Sequence, residues 1–146
     1  IVGHIEELNY YNFLQKNIQK LPKNVNVSFT GSLEKDQLDQ EIIKSDLLVS
    51  TSYNENYGHN IVEALGHGRP VLISEFCPWA NLSDFNAGFR LQLDLNVFIE
   101  KLIFFNQMDN TTYTTYNYGA RNYYDKFIST ESLKNTYIDL LNHNIL

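Results

Sequence analysis

Two short apolar runs with one helix-length segment between them constrain this chain more than any other feature. Asp46-Leu-Leu-Val-Ser-Thr51 and Val71-Leu-Ile-Ser74 have strand length, and polar residues bound each of them. Between them, residues 58–67 place Ile61, Val62, Ala64 and Leu65 on one broad side of a helical wheel, and Gly68-Arg69-Pro70 supplies the stop. Strand, helix and strand at this spacing predict parallel pairing, because parallel strands need a long crossover. Runs with so little alternation also predict strands covered on both faces.

The rhythm extends in both directions. Ile1-Val2-Gly3 reads as the tail of a strand, and residues 5–21 as a helix with Ile5, Leu8, Ile18 and Leu21 recurring. Val25-Asn-Val-Ser-Phe29 alternates like a short strand, and residues 32–44 read as a helix carrying Leu38, Ile42 and Ile43. Residues 89–93 predict one more strand. From 96 to 142 the pattern is helical, interrupted by turn signals at Asp109-Asn110 and Ser129-Thr130. The expected fold is α/β: a Rossmann-like parallel sheet flanked by helices, with a helical tail at the carboxyl end. A chain of 146 residues suffices for one domain, residues 1–146, with its own core.

Composition removes several function classes. The net charge is −6 with no Lys/Arg stripe, so the footprint of a nucleic-acid binder is missing. No apolar run approaches the roughly 20 residues that span a bilayer. The single cysteine, Cys77, leaves no intrachain disulfide and fits a reducing, cytoplasmic compartment; with no His-Asn arrangement around it, a buried small hydrophobe is expected there. The chain begins with Ile and shows no signal peptide, which reads as a cut from a longer protein.

Chemistry concentrates in residues 54–70. Glu55 lies in a polar turn and Glu63 inside the helix, about 200° from Ile61 and therefore away from the sheet-facing side. In an open parallel sheet this helix would start at the carboxyl edge of the strands, where such sheets bind ligands. Its first turn would offer the amides of Gly58, His59 and Asn60 to a phosphate. A carboxylate on either side could accept paired hydroxyls, an arrangement suited to a sugar nucleotide. His59, Glu63 and His67 also share a face, but the two histidines would stand about 12 Å apart along the axis, too far to share one metal ion.

The stretch Ser52-Tyr-Asn-Glu55-Asn-Tyr-Gly58-His-Asn-Ile-Val-Glu63-Ala-Leu-Gly-His-Gly68-Arg-Pro70-Val-Leu-Ile-Ser74 resembles the donor-binding signature of the retaining GT-B glycosyltransferases of family 4, the group 1 transferases. That signature runs from a Ser-Asp-led strand, here Ser45-Asp46, through E-x-F-G-x-x-x-x-E to G-x-P-V-I, with Tyr57 standing where phenylalanine is usual. Phe29-Thr30-Gly31 and Pro78-Trp79 with Leu82 and Gly88 are similar to weaker family motifs, the latter to the T-P-W-x-x-L segment of many capsule and lipopolysaccharide enzymes.

The resemblance implies the carboxy-terminal, nucleotide-sugar-binding half of a GT-B fold in a hexosyltransferase. It assigns Glu55 to the transferred sugar near the reacting centre, Tyr57, Gly58, His59 and Asn60 to the donor, with the last three at its diphosphate, and Glu63 to the ribose. Gly31 and Ser32 are assigned to the loop beside the base. The implied donor is a UDP-, GDP- or ADP-sugar, with no cofactor and no metal ion. The implied acceptor is a polysaccharide, lipopolysaccharide or glycolipid, reached through an amino-terminal domain, at the cytoplasmic side and the inner face of the membrane. The family's Arg/Lys pair and its acceptor domain would lie upstream of residue 1, so the chain alone is expected to bind donor weakly and to transfer nothing. Arg69 and Lys35 do not occupy the positions of that pair and read as surface charges.

Two alternatives stand beside this reading: a nucleotide-sugar epimerase-like domain, and a non-catalytic nucleotide-binding or scaffold domain of the same shape. A phosphoacceptor receiver is disfavoured, since the central strand ends Val49-Ser-Thr-Ser52 with no aspartate. Trp79 is either a lid over the donor pocket or a loop aromatic packed on the core. The spacing of Tyr116, Tyr123, Tyr124 and Phe127 predicts a packing face.

Overall fold

The computed structural model describes residues 1–131 and residue 134. Contacts group the chain into two compact units that divide between Leu38 and Asp39.

In the first unit the helix is α1, Leu8–Ile18, shorter than its predicted span. Glu7 precedes it without a side-chain cap, and the chain turns at its end through Lys20 N–H to Asn17 and Leu21 N–H to Ile18, just before Pro22. The face of α1 also differs from expectation. Ile5 and Leu8 are exposed, whereas Tyr11, Leu14 and Ile18 are half-buried, and Tyr11 meets Phe29 edge-on at 5.0 Å. Residues 25–29 do not form the predicted strand. Among the described residues, residues 1–3 run beside the end of this segment, through Ile1 to Ser28, Thr30 to Ile1 and Gly3 to Gly31, and the pairing there is one parallel bridge, Val2 with Gly31.

Helix α2, Lys35–Lys44, crosses the division between the units. Of the three apolar residues expected to pack from it, Ile42 is buried and Leu38 half-buried, but Ile43 is exposed.

The second unit carries the sheet. Strands β1 (Leu48–Ser50), β2 (Val71–Ser74) and β3 (Gly88–Leu91) lie in the order β1-β2-β3, all parallel, with Leu48 opposite Val71 and Val71 opposite Gly88. Central β2 is completely buried, as its unbroken apolar run predicts. β1 is not: it is three residues long, lies at the sheet's edge, and leaves Val49 exposed. Covering on both faces holds for the middle strand alone.

Helix α3, His59–Gly66, crosses from β1 to β2, and Ile61, Ala64 and Leu65 are its buried face. Its end is a Schellman motif: Gly68, at φ +67°, donates to Leu65 while Arg69 donates to Ala64. The Arg69 guanidinium then donates to the Ile43 carbonyl, so this residue straps α3's end to α2 rather than standing as a free surface charge. Between β2 and β3 the crossover holds only a 3-10 turn, Leu82–Phe85, which the sequence pattern did not predict.

Helices α4 (Leu95–Asn106) and α5 (Asn110–Phe127) follow, each opened by an aspartate. Asp94 accepts from the amides of Asn96 and Val97. Asp109 accepts from the amide and the hydroxyl of Thr112, which hold its carboxyl below the usual range. Phe89, Phe104, Phe105 and Tyr116 form an aromatic cluster joining β3, α4 and α5, beside the core of Leu72, Leu91 and Phe98. Burial raises the Tyr116 and Tyr123 hydroxyl pKa values. The predicted aromatic face of α5 is thus core at Tyr116 and Tyr123, while Phe127 at its end is exposed but still touches Phe85. Most of the expected helical tail beyond Thr130 lies outside the described residues.

Candidate functional site

Because α3 leaves β1 at its carboxyl end, its first turn stands at the carboxyl edge of the sheet, next to the segment that follows β2. Two ties hold the loop there. The Ser74 hydroxyl, fully buried at the end of β2, donates to the Ser52 carbonyl, and the Trp79 indole N–H donates to the Tyr57 carbonyl at 2.6 Å. Cys77 lies beneath them, buried, with its sulfur 3.7 Å from the Ser74 hydroxyl. The tryptophan is therefore fixed to the loop's backbone.

Gly58 caps α3 in the left-handed region, at φ +78° and ψ +64°. Its amide was expected to face a phosphate; instead it donates to Glu55 Oε1 at 2.9 Å. The carboxylate thereby sits at the positive end of the helix, half-buried, with one oxygen held and directed. Of the next amides, Ile61 N–H is taken by the Asn60 side chain at 2.9 Å, and Val62 N–H by the Gly58 carbonyl at 3.0 Å. Those of His59 and Asn60 donate to no group among the described residues. They are the two open donors of the first turn.

Tyr57 is partly exposed between two rings, with His59 at 5.0 Å and Trp79 at 5.3 Å from its centroid. Glu63 lies one turn along α3 and is half-buried. His67 does not join His59; its Nε2 is 3.1 Å from Asp39 Oδ1. Among the described residues no three His, Cys, Asp or Glu side chains gather as a metal site. The structure thus brings Glu55, Tyr57, Gly58, His59 and Asn60 together at one helix opening, with Glu63 behind them. Gly31 and Ser32 belong to the first unit, where Gly31 has φ +72° and open space where a side chain would stand.

Sequence reasoning missed the tie between Trp79 and the loop, which joins residues 22 apart and leaves no periodic trace. The Glu55-Gly58 bond is more local, joining residues three apart within the loop that opens α3.

The sequence profile of glycosyl transferases group 1 matches residues 1–82, a span that includes Glu55, Glu63 and Trp79. The chain belongs to this family. The fold agrees: HepE of Anabaena in complex with UDP-glucose superimposes with a TM-score of 0.74 at 22% identity, over 97% of this chain and 40% of that one. HepE in complex with UDP gives 0.71 at 23% identity, over 97% and 40%. WaaG, a glycosyltransferase involved in lipopolysaccharide biosynthesis, gives 0.64 at 22% identity, over 95% and 36%. The architecture is that of the carboxy-terminal half of a GT-B glycosyltransferase, and the chain spans 40% or less of each of these proteins. No curated protein matches it by sequence. Among the described residues, no helix is long and apolar enough to cross a membrane.

Proposed function

We infer that this chain is the donor-binding domain of a retaining hexosyltransferase and takes a nucleoside-diphosphate sugar at the opening of α3. The observation that carries the reading is the pair of open amides, His59 and Asn60, set between two half-buried carboxylates inside the span that matches the family. The amides and the helix dipole would hold the diphosphate, and as the sugar leaves they would stabilise the charge growing on it. Glu55, already oriented by Gly58, would accept hydroxyls of the transferred sugar, and Glu63 those of the ribose. No group in this scheme requires a metal ion. The acceptor would be a polysaccharide, lipopolysaccharide or glycolipid, met through a further domain at the cytoplasmic face of a membrane.

Calorimetric titration with UDP-, GDP- and ADP-glucose tests the reading. One of the three is expected to bind, and Glu63→Ala to weaken it by about 10-fold to 100-fold, the worth of charge-assisted hydrogen bonds to two hydroxyls. No response to any of them at millimolar concentration would support a scaffold domain instead.

A further inference from the structure

The Tyr57-Gly58 peptide is held at both ends. Its carbonyl, on Tyr57, accepts the Trp79 indole N–H at 2.6 Å, and its amide, on Gly58, donates to Glu55 Oε1 at 2.9 Å. A peptide unit is rigid and planar, so fixing its two polar ends fixes its plane. That plane determines how the backbone enters Gly58's left-handed conformation, and the entry determines where the next two amides, His59 and Asn60, are aimed. The Trp79 ring adds an edge contact to Tyr57, whose own ring lies against His59.

We propose that Trp79 is a positioning residue for the donor: it clamps the Tyr57-Gly58 peptide and thereby aims the open amides of α3 at the diphosphate. This rests on the donor-binding reading above and goes beyond it, because Trp79 lies in the segment after β2 and needs no contact with the ligand. A residue that only packs on the core would contribute to stability and leave affinity alone. One that clamps this peptide acts on affinity through the diphosphate, whatever sugar is attached.

The test uses whichever of UDP, GDP and ADP binds the wild-type chain most tightly, together with its glucose conjugate. Trp79→Phe keeps an aromatic ring and loses the N–H donor. It is expected to keep its circular dichroism spectrum and to bind both ligands about fivefold to tenfold more weakly, by the same factor for each, as the loss of one hydrogen bond predicts. Trp79 is the chain's one tryptophan, so its fluorescence should also change on saturation in the wild type. Unchanged affinity in Trp79→Phe, with or without a fall in melting temperature, would overturn the positioning role while leaving the donor site standing. A loss confined to the glucose conjugate would overturn it too, by making Trp79 a sugar contact. If Trp79→Phe fails to fold, Trp79→His supplies a smaller ring that still carries an N–H; binding by it at wild-type strength sustains the clamp, and a loss common to both ligands beyond tenfold contradicts it. Absence of binding by the wild type sinks the donor reading itself, and the clamp with it.

Discussion

Gly119→Ala is expected to destabilise the chain by more than about 4 kcal/mol, a loss reached only through a severe steric or polar fault. Helix propensity argues the other way, since alanine is favoured over glycine by about 1 kcal/mol in a helix interior. Geometry decides the sign. A Cβ on Gly119 would lie 2.1 Å from the Phe85 carbonyl oxygen and 2.6 Å from that of Asn86, and both are backbone atoms with no rotamer to change. Relief would require α5 to withdraw from the Leu82–Phe85 turn, which would open the contacts of Tyr123 and Phe127 with Phe85. Against a total stability of about 5–15 kcal/mol, such a loss leaves the chain marginal or unfolded. Asn122→Ala, an exposed position on the same helix, should be neutral or gain about 0.5 kcal/mol. Urea denaturation of the pair measures this directly, and a Gly119→Ala protein as stable as the wild type would contradict the close approach of α5 to the turn.

Gly58→Ala is expected to damage both stability and donor binding. At φ +78° an alanine carries a left-handed penalty of about 1–2 kcal/mol. Its Cβ would also stand 2.7 Å from Ile61 Cδ1, and Ile61 is fully buried, so the crowding adds an overpacking cost of about 1–3 kcal/mol. The cheapest escape is to rotate the Tyr57-Gly58 peptide, which breaks the bond to Glu55 and turns the first amides aside. Nucleotide affinity should therefore fall at least as far as in Glu63→Ala, even well below the melting temperature. Gly58→Asn separates the two costs. Asparagine enters the left-handed region readily, as Asn81 and Asn86 do in this chain at φ 57° and 54°, but it keeps the Cβ. If crowding dominates, both variants lose binding alike; an asparagine variant that binds at full strength would show that backbone strain alone was at issue.

How much of this was legible in the sequence varies by element, for physical reasons. α3 was readable to within a residue at each end because both of its ends are written in glycine, Gly58 and Gly68. β2 was readable because a buried central strand is apolar throughout. The strand predicted at Val25–Phe29 failed because alternation describes the faces of a segment and not whether a partner lies alongside it. β1 came out shorter and more exposed than predicted because its place at the edge is a property of the sheet, not of its own residues. The 3-10 turn was hidden for a similar reason: it is four residues long, and its ends are the positive-φ asparagines Asn81 and Asn86, which resemble loop residues in sequence. At the site, residue types and spacing located the helix opening, but the bonds that orient it from Trp79 and Ser74 are tertiary.

In the proposed donor site the first turn of α3 holds a diphosphate through two amides. Amide proton and nitrogen chemical shifts, followed by NMR through a titration with UDP, GDP or ADP, test it at the atoms concerned. The largest shifts are expected on the His59 and Asn60 amides, saturating with the binding isotherm, while the Gly58 amide, already bonded to Glu55, moves less. Saturable binding whose largest shifts fall elsewhere, with those two amides unmoved, would contradict it.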